Sequence, residues 1–387
     1  MLKVKEKFDG ALQQQLYLLP PSEIGESEAY LQEQIITYIG NKRSLLPFIG
    51  KGLDLVKRRL NKPKLRALDI FSGSGVVARY FKQHAEHIIA NDLESYCKVL
   101  NECYLSNQSS LDWDELNEIL HHLRGRIKET WSGGFITELY SPKDENNISP
   151  EDRVFYTRRN AMYLDTARKA IMEVPEDKQK YFLAPLLSEA SVHANTSGVF
   201  KGFYKSGEGI GQFGGNGKDA LTRILGNIEV TLPVLSRYET SFEFYQKDAN
   251  QIVSDLEEVD VAYFDPPYNQ HPYGSNYFML NLLSDYKTPM EVSRVSGIPK
   301  NWNRSRYNQK DEAEDALFDL VAKCKAKFVL ISYNSEGFIS YDRFLARLKD
   351  CGQITVLETS YNTFRGSRNL RERPIHVTEF LYLLEKK

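Results

Sequence analysis

Apolar residues recur at helical spacing over residues 44–60 (Leu45, Phe48, Ile49, Leu53, Val56, Leu60), which marks one face of a helix. Pro47 is compatible with its first turn. A short unbroken apolar run over 65–71 then reads as a strand; it enters Ser72-Gly73-Ser74-Gly75-Val76-Val77-Ala78 and continues as a helix through Arg79-Tyr80-Phe81. Residues 88–92 form a second apolar strand that ends on Asp92. From about 105 to 235 the period is helical: Leu116, Ile119, Leu120, Leu123, Ile127 and Trp131 share one face, and further helices are expected at 151–173 and 178–192. The stretch 198–217 is rich in glycine, interleaved with Phe200, Phe203, Tyr204 and Phe213, and reads as a loop. Strand and helix patterns alternate again from Phe242: strands at 259–264 and 328–332, helices near 311–325 and 341–350, and two last strands at 354–358 and 378–384 able to pair antiparallel at a sheet edge. Alternating βα units around a helical insertion imply an α/β fold with a largely parallel sheet.

The chain has 387 residues, 41% hydrophobic and 26% charged, which suits one large core or two moderate domains of a globular protein. The amino-terminal MLKVKEKFDG has no signal-peptide apolar core, and no apolar run approaches membrane-spanning length. The expectation is a cytoplasmic protein without membrane attachment. Cys97, Cys103, Cys324 and Cys351 have no metal-ligand spacing and read as free thiols; the histidines are equally scattered, and His84/His87 and His121/His122 read as solvated helix residues. No metal site is expected. The net charge of −2 is unevenly spread. Lys51, Lys57, Arg58, Arg59, Lys62, Lys64 and Arg66 crowd one segment, which reads as cations near a helix's negative end. Arg365, Arg368, Arg371 and Arg373 crowd another, among glycine, serine and asparagine, where phosphate contact is the competing reading.

Strand, glycine turn, helix, strand and acid form a nucleotide-binding βαβ unit. Gly73-x-Gly75-x-x-Ala78 also fits the dinucleotide fingerprint, so this unit alone implies an adenosine-containing ligand, with NAD and FAD still open. Gly214-Gly215-Asn216-Gly217-Lys218 is no phosphate-binding P-loop, because Gln212 occupies the first glycine position and Asp219 the Ser/Thr position. More chemistry lies in Asp265-Pro266-Pro267-Tyr268, which follows the apolar run Val261-Ala262-Tyr263-Phe264. Two prolines cannot donate to a strand ladder, so acid and ring sit on a rigid turn past a strand's carboxyl end, where open α/β sheets bind ligands. An acid, a fixed carbonyl and an aromatic face suit a flat ring that bears an exocyclic amino group.

Taken in order, Tyr38-Ile-Gly40-Asn-Lys42-Arg-Ser-Leu45-Leu46, Asp69-Ile-Phe71-Ser-Gly73-Ser-Gly75 and Asp265-Pro-Pro-Tyr268 resemble the alpha-group DNA adenine methylases. Phe155-Tyr156-Thr-Arg-Arg159 is similar to that family's aromatic-aromatic-x-x-Arg helix, and Asn195-Thr-Ser-Gly198 to its Asn-x-x-Gly loop. Lys247-Asp248-Ala249 and Leu330-Ile331-Ser332-Tyr333-Asn334 match the segments before and after the catalytic strand. The likeness spans about 35–384. Tyr38 stands where many members have tryptophan, and the usual arginine pattern after Gly198 is missing.

The resemblance implies a Rossmann-like class I methyltransferase mixed sheet with helices on both faces, plus an inserted, mostly helical target-recognition subdomain. Its expected parts are an extension at 1–34, catalytic segments at 35–104 and 241–387, and the insert at 105–240. It implies S-adenosylmethionine as methyl donor, with contacts from Tyr38, Lys42, Phe71, Gly73, Gly75, Asp92, Asp248 and Asp265. Lys42 is expected on the methionine carboxylate, and no metal is needed for an already activated methyl. Asp265 and the carbonyl of Pro266 would accept the two N6–H bonds of an adenine flipped from the duplex, and Tyr268 would stack on it. Arg159, Asn195, Lys201, Arg365, Arg368 and Arg371 are the expected DNA contacts. The implied activity is site-specific DNA adenine-N6 methylation in the prokaryotic cytoplasm, on double-stranded DNA, within a restriction–modification system with a cognate endonuclease. Methylation of adenine in structured RNA is the runner-up. A non-catalytic nucleic-acid binder is disfavoured by the intact Asp265, Tyr268 and glycine turn, and an oxidoreductase by the lack of a hydride-handling acid–base pair.

Overall fold

A computed structural model of the chain describes residues 25–218, 220–362 and 376–387. The chain enters through a short helical turn, Glu28–Gln32, and then α1 (Leu46–Leu60), with Pro47 in its first turn and Asn61 as a left-handed C-cap. β1 (Leu65–Asp69) and β2 (Ala85–Asn91) flank α2 (Val76–Phe81). α3 (Ser95–Tyr104) follows β2, and the helical insertion comprises α4 (Trp113–Glu129), α5 (Phe135–Tyr140), α6 (Arg158–Met172) and α7 (Glu176–Val192). Then come β3 (Ser241–Tyr245), β4 (Val259–Phe264), α8 (Phe278–Asp285), α9 (Ala313–Lys323), β5 (Ala326–Asn334), α10 (Tyr341–Leu348), β6 (Gly352–Asn362) and β7 (His376–Lys386).

The seven strands form one sheet in the order β3-β2-β1-β4-β5-β7-β6. β1 to β5 run parallel, and β7 is antiparallel to both β5 and β6. The expected antiparallel pair therefore forms, with β6 at the edge and β7 inserted beside β5. Because side chains alternate across a strand, β4 serves two cores. Ala262 and Phe264 pack toward α9 and α10, whereas Val261 and Tyr263 pack toward α1 and α2. A third cluster joins α4, α6 and α7 to α3 and α8, so the insertion shares its core with helices that flank the sheet.

Two buried charges fix that junction. Asp165 accepts from the backbone N–H groups of Gly134 and Thr137 at 2.8 Å each, capping α5, and from the Tyr286 hydroxyl. Arg168 donates to the carbonyls of Leu283 and Ser284 at the end of α8, where cations suit the helix dipole. The basic stretch 51–66 proves structural: Lys57, Arg58 and Arg59 lie in the last turn of α1, and Arg59, Lys62 and Arg66 pair with Glu385, Asp260 and Glu257. His121 and His122 are exposed on α4 as expected, but His84 lies in the turn before β2 and His87 within β2. The four cysteines are free thiols, three of them buried. No described helix is long and apolar enough to cross a membrane.

Candidate active site and cofactor cleft

β1 and β4 are neighbours at the point where strand order reverses, and a cleft opens past their carboxyl ends. Such switch points are where doubly wound sheets take ligands. The turn after β1 closes tightly: Gly75 donates its N–H to the Ser72 carbonyl at 2.8 Å and starts α2 with φ +80°. Gly73 has φ +50°, and a Cβ there would lie 3.1 Å from the Tyr38 ring, so any side chain would strain the turn and crowd that ring. The Gly73 N–H donates to Asp92 at 2.8 Å, tying the turn to the end of β2. Asn101, buried in α3, donates to the Gly73 carbonyl, and Asn91 donates to those of Ile70 and Lys247. Asp248 caps the short helix Ala249–Ile252 and lines the same cleft.

Tyr38 stacks against both Tyr273 and Tyr277, with ring centroids 4.9 and 4.7 Å away, and those two rings lie 5.9 Å from each other. The Ile39 N–H donates to the Tyr277 hydroxyl, while the Tyr273 hydroxyl donates to the Ile39 carbonyl. The segment that follows Asp265-Pro-Pro-Tyr268 thus clamps the first motif over the cleft. Tyr38 retains a polar partner in the Tyr96 hydroxyl at 3.3 Å. Phe71 meets Tyr307 edge-on at 4.9 Å, and Asn303, Ser305, Tyr307 and Asn308 supply a wall that sequence patterning did not indicate.

Asp265 stands at the end of β4, beside buried Pro266. The Lys42 ammonium lies 3.1 Å from Asp265 and 3.1 Å from Glu379 of β7, with the lysine and the glutamate both fully buried. It also sits 5.6 Å over the Tyr268 ring. Burial alone would lower the Lys42 pKa, but the two carboxylates more than offset this and hold it well above the ordinary value. Burial raises Asp265 to about 6; Lys42 opposes that shift and Glu379 adds to it. The resemblance implied Lys42 on the cofactor's carboxylate, whereas its charge is matched within the chain by two competing carboxylates. Tyr268 is half-buried, edge-on to Tyr333 at 5.9 Å, and its carbonyl accepts from the Phe338 N–H.

The cleft is rich in acids. Asp69 is fully buried, and neither of its oxygens has a hydrogen-bond partner of ordinary geometry. Burial, followed by the charges of Asp265 and Asp92, holds it well above the carboxylate range. Burial likewise lifts Glu94 to about 7, opposed by the amides of Asn281 and Asn303 that donate to it. A donor with a sulfonium and an ammonium fits this acid-lined space, since buried charge demands a counter-charge, and Asp92 lines it with its oxygens accepting from the Gly73 and Glu94 N–H groups.

Tyr38, Lys42, Phe71, Gly73, Asp92, Asp248 and Asp265 all line this one cleft, with Gly75 just behind at the start of α2. The expected DNA contacts are scattered. Arg159 is exposed at the start of α6. Lys201 is exposed in a loop whose Phe200 N–H donates to the Asn276 carbonyl, and its charge helps burial depress the His271 pKa, so it stands beside the catalytic turn. Asn195 corrects the expectation: it is fully buried, donates to the carbonyls of Val154 and Gln212, and accepts from the Gly214 N–H. It scaffolds the glycine-rich loop. Arg365, Arg368, Arg371 and Arg373 lie outside the described residues. Glu379 was missed, although an acid on the inward-facing row Val377, Leu381, Leu383 of a core strand is a local conflict of the kind that marks functional sites.

The strand order, glycine turn and acid-ended second strand define a class I methyltransferase fold. The family model for D12 class N6 adenine-specific DNA methyltransferases matches residues 38–345, and the chain belongs to that family. It is a site-specific DNA methyltransferase of the adenine-N6 type, and members of this family use S-adenosylmethionine as methyl donor. The chain is 29% identical over 362 residues to the type II methyltransferase M.NlaIII of Neisseria lactamica, covering 91% of this chain and 99% of that one. It is 29% identical over 341 residues to M.CviAII of Paramecium bursaria Chlorella virus 1, covering 86% and 93%. Against M.FokI of Planomicrobium okeanokoites it is 24% identical over 363 residues, 90% of this chain but 52% of that protein.

Proposed function

We propose that this chain methylates an adenine flipped out of double-stranded DNA into the cleft at Asp265, as the modification enzyme of a restriction–modification system. The observation that carries this reading is the convergence of the glycine turn, Asp92 and the Lys42–Asp265 pair on one acid-lined cleft at the sheet's switch point. S-adenosylmethionine, when bound, supplies a methyl already activated by its sulfonium. Tyr38, Lys42, Phe71, Gly73, Gly75, Asp92, Asp248 and Asp265 are the residues to hold it, and no metal has a part in this reading.

Asp265 accepts one N6–H and the Pro266 carbonyl the other. Together they localise the nitrogen lone pair toward the methyl carbon, an orientation and preorganisation effect. The donor would supply the methyl, and Asp265 would take the N6 proton that its transfer releases. Tyr268 supplies the stacking face, worth about 1–3 kcal/mol per base. The insert 105–240 and its loop carry sequence recognition, supported by the position of Lys201 beside His271. Type II enzymes among the relatives support the restriction–modification setting, with an endonuclease of the same specificity as partner.

The test is incubation of the full chain with methyl-labelled donor and either duplex DNA or folded RNA, followed by nucleoside analysis. N6-methyladenine in the DNA alone supports the reading. Label confined to the RNA overturns it.

A further inference from the structure

Glu379 is fully buried in β7, on the face that packs against α1, at the level where Asn334 of β5 is its register partner. One of its oxygens lies 3.1 Å from Lys42 and accepts from the Ser332 hydroxyl, while its other oxygen has no hydrogen-bond partner. Asp265 lies 3.1 Å from the same nitrogen. One buried ammonium is therefore shared by two carboxylates, of which only Asp265 lines the cleft. A single buried ion pair would hold the turn equally well. The second acid adds an uncompensated negative charge, which a purely structural contact does not require.

We propose that Glu379 is a positioning residue for methyl transfer: it draws the Lys42 ammonium away from Asp265 and keeps that carboxylate a strong hydrogen-bond acceptor. This rests on the reading of Asp265 as the N6–H acceptor. Among the described residues, the charged and titratable groups that face Asp265 are Lys42 from the first motif, Asp69 from β1, Tyr263 from β4, Tyr268 and Tyr273 after it, and Glu379 from β7. Lys42 is the one cation among them. How it is divided between Asp265 and Glu379 thus governs how much negative charge Asp265 offers a donor. Ser332 tempers Glu379, because its hydroxyl occupies the oxygen that faces Lys42.

The experiment is the pH dependence of the single-turnover rate of the full chain on duplex DNA, with S-adenosylmethionine saturating. The wild-type rate should fall on the acid side as Asp265 protonates, with a midpoint near 6. Glu379→Gln removes the carboxylate that competes with Asp265 for the shared ammonium, so the midpoint should move down by about one to two pH units and the plateau rate should fall. Glu379→Asp should restore the wild-type midpoint. Ser332→Ala, a small change that leaves the ion pairs in place, should move the midpoint the opposite way, and it provides the test if Glu379→Gln does not fold. Unmoved midpoints in Glu379→Gln and Ser332→Ala overturn the proposal. Asp265→Ala, which removes the acceptor oxygens, separates the two levels: if it keeps the wild-type rate, the acceptor reading itself fails, whatever Glu379 does.

Discussion

Replacing Lys42 with methionine removes a buried cation while keeping most of the side chain's volume. Its ammonium lies 3.1 Å from both Asp265 and Glu379, and it is 3% exposed. Leaving buried partners without their counter-charge typically costs about 3–5 kcal/mol. The loss should depend on pH. With Lys42 present, Asp265 already titrates near 6, above the ordinary carboxylate range of about 4, and without it that value rises further. In the variant, then, the folded chain retains a proton on Asp265 that the unfolded chain releases. Such a raised acid has its stabilising effect below the unfolded value and loses it as pH rises through the folded one. The gap between wild type and Lys42→Met should therefore be smallest near pH 4 and widen as pH rises through and above 6. Denaturant unfolding of both proteins at several pH values reads it directly. A gap under about 1 kcal/mol at pH 8, the range of a solvated ion pair, or one that does not change with pH, would refute the shared-ammonium geometry. Calorimetry of donor binding adds a contrast: a lysine serving only the cofactor's carboxylate would alter affinity and leave stability untouched.

Tyr268→Phe should keep most activity because the ring face, not the hydroxyl, holds the base, whereas Tyr268→Ala should lose roughly ten- to a hundredfold in single-turnover rate; similar behaviour of the two would remove the stacking role. Arg159→Ala with Lys201→Ala should weaken binding to all duplexes and make the slope of log K against log[salt] shallower by up to about 0.9 per lost phosphate contact. The same measurement on alanine replacements of Arg365, Arg368 and Arg371 tests the phosphate reading of that cluster, and an unchanged slope returns them to ordinary surface charge.

Much of the sheet is legible because its strands are short apolar runs that end on chemistry: β1 in the glycine turn, β2 beside Asp92, β4 at Asp265. Helices with one apolar face, such as α4 and α10, show their period in the same way. α8 does not, since Phe278–Leu283 is apolar nearly all round and buried between α3 and the insertion, and such a run cannot be assigned by periodicity. β3 has only partly covered residues at the sheet edge and lacks a strong apolar signature. The site was readable where motif and element end coincide. It was not readable where partners converge from distant positions: Tyr273 and Tyr277 on Tyr38, Asn303 on Glu94, and Glu379 on Lys42. Asn195 shows the converse, because a motif position suggests a polar contact but not whether that contact is with DNA or with the protein's own loop carbonyls.

The most direct measurement is the single-turnover formation of N6-methyladenine in duplex DNA by Asp265→Ala beside wild type, with DNA affinity determined for both. If Asp265 acts on the adenine amino group, the variant binds DNA within a few-fold of wild type yet forms N6-methyladenine at less than about a hundredth of its rate, the scale on which loss of one preorganised polar group acts. A rate above about a tenth of wild type at equal DNA affinity would contradict it.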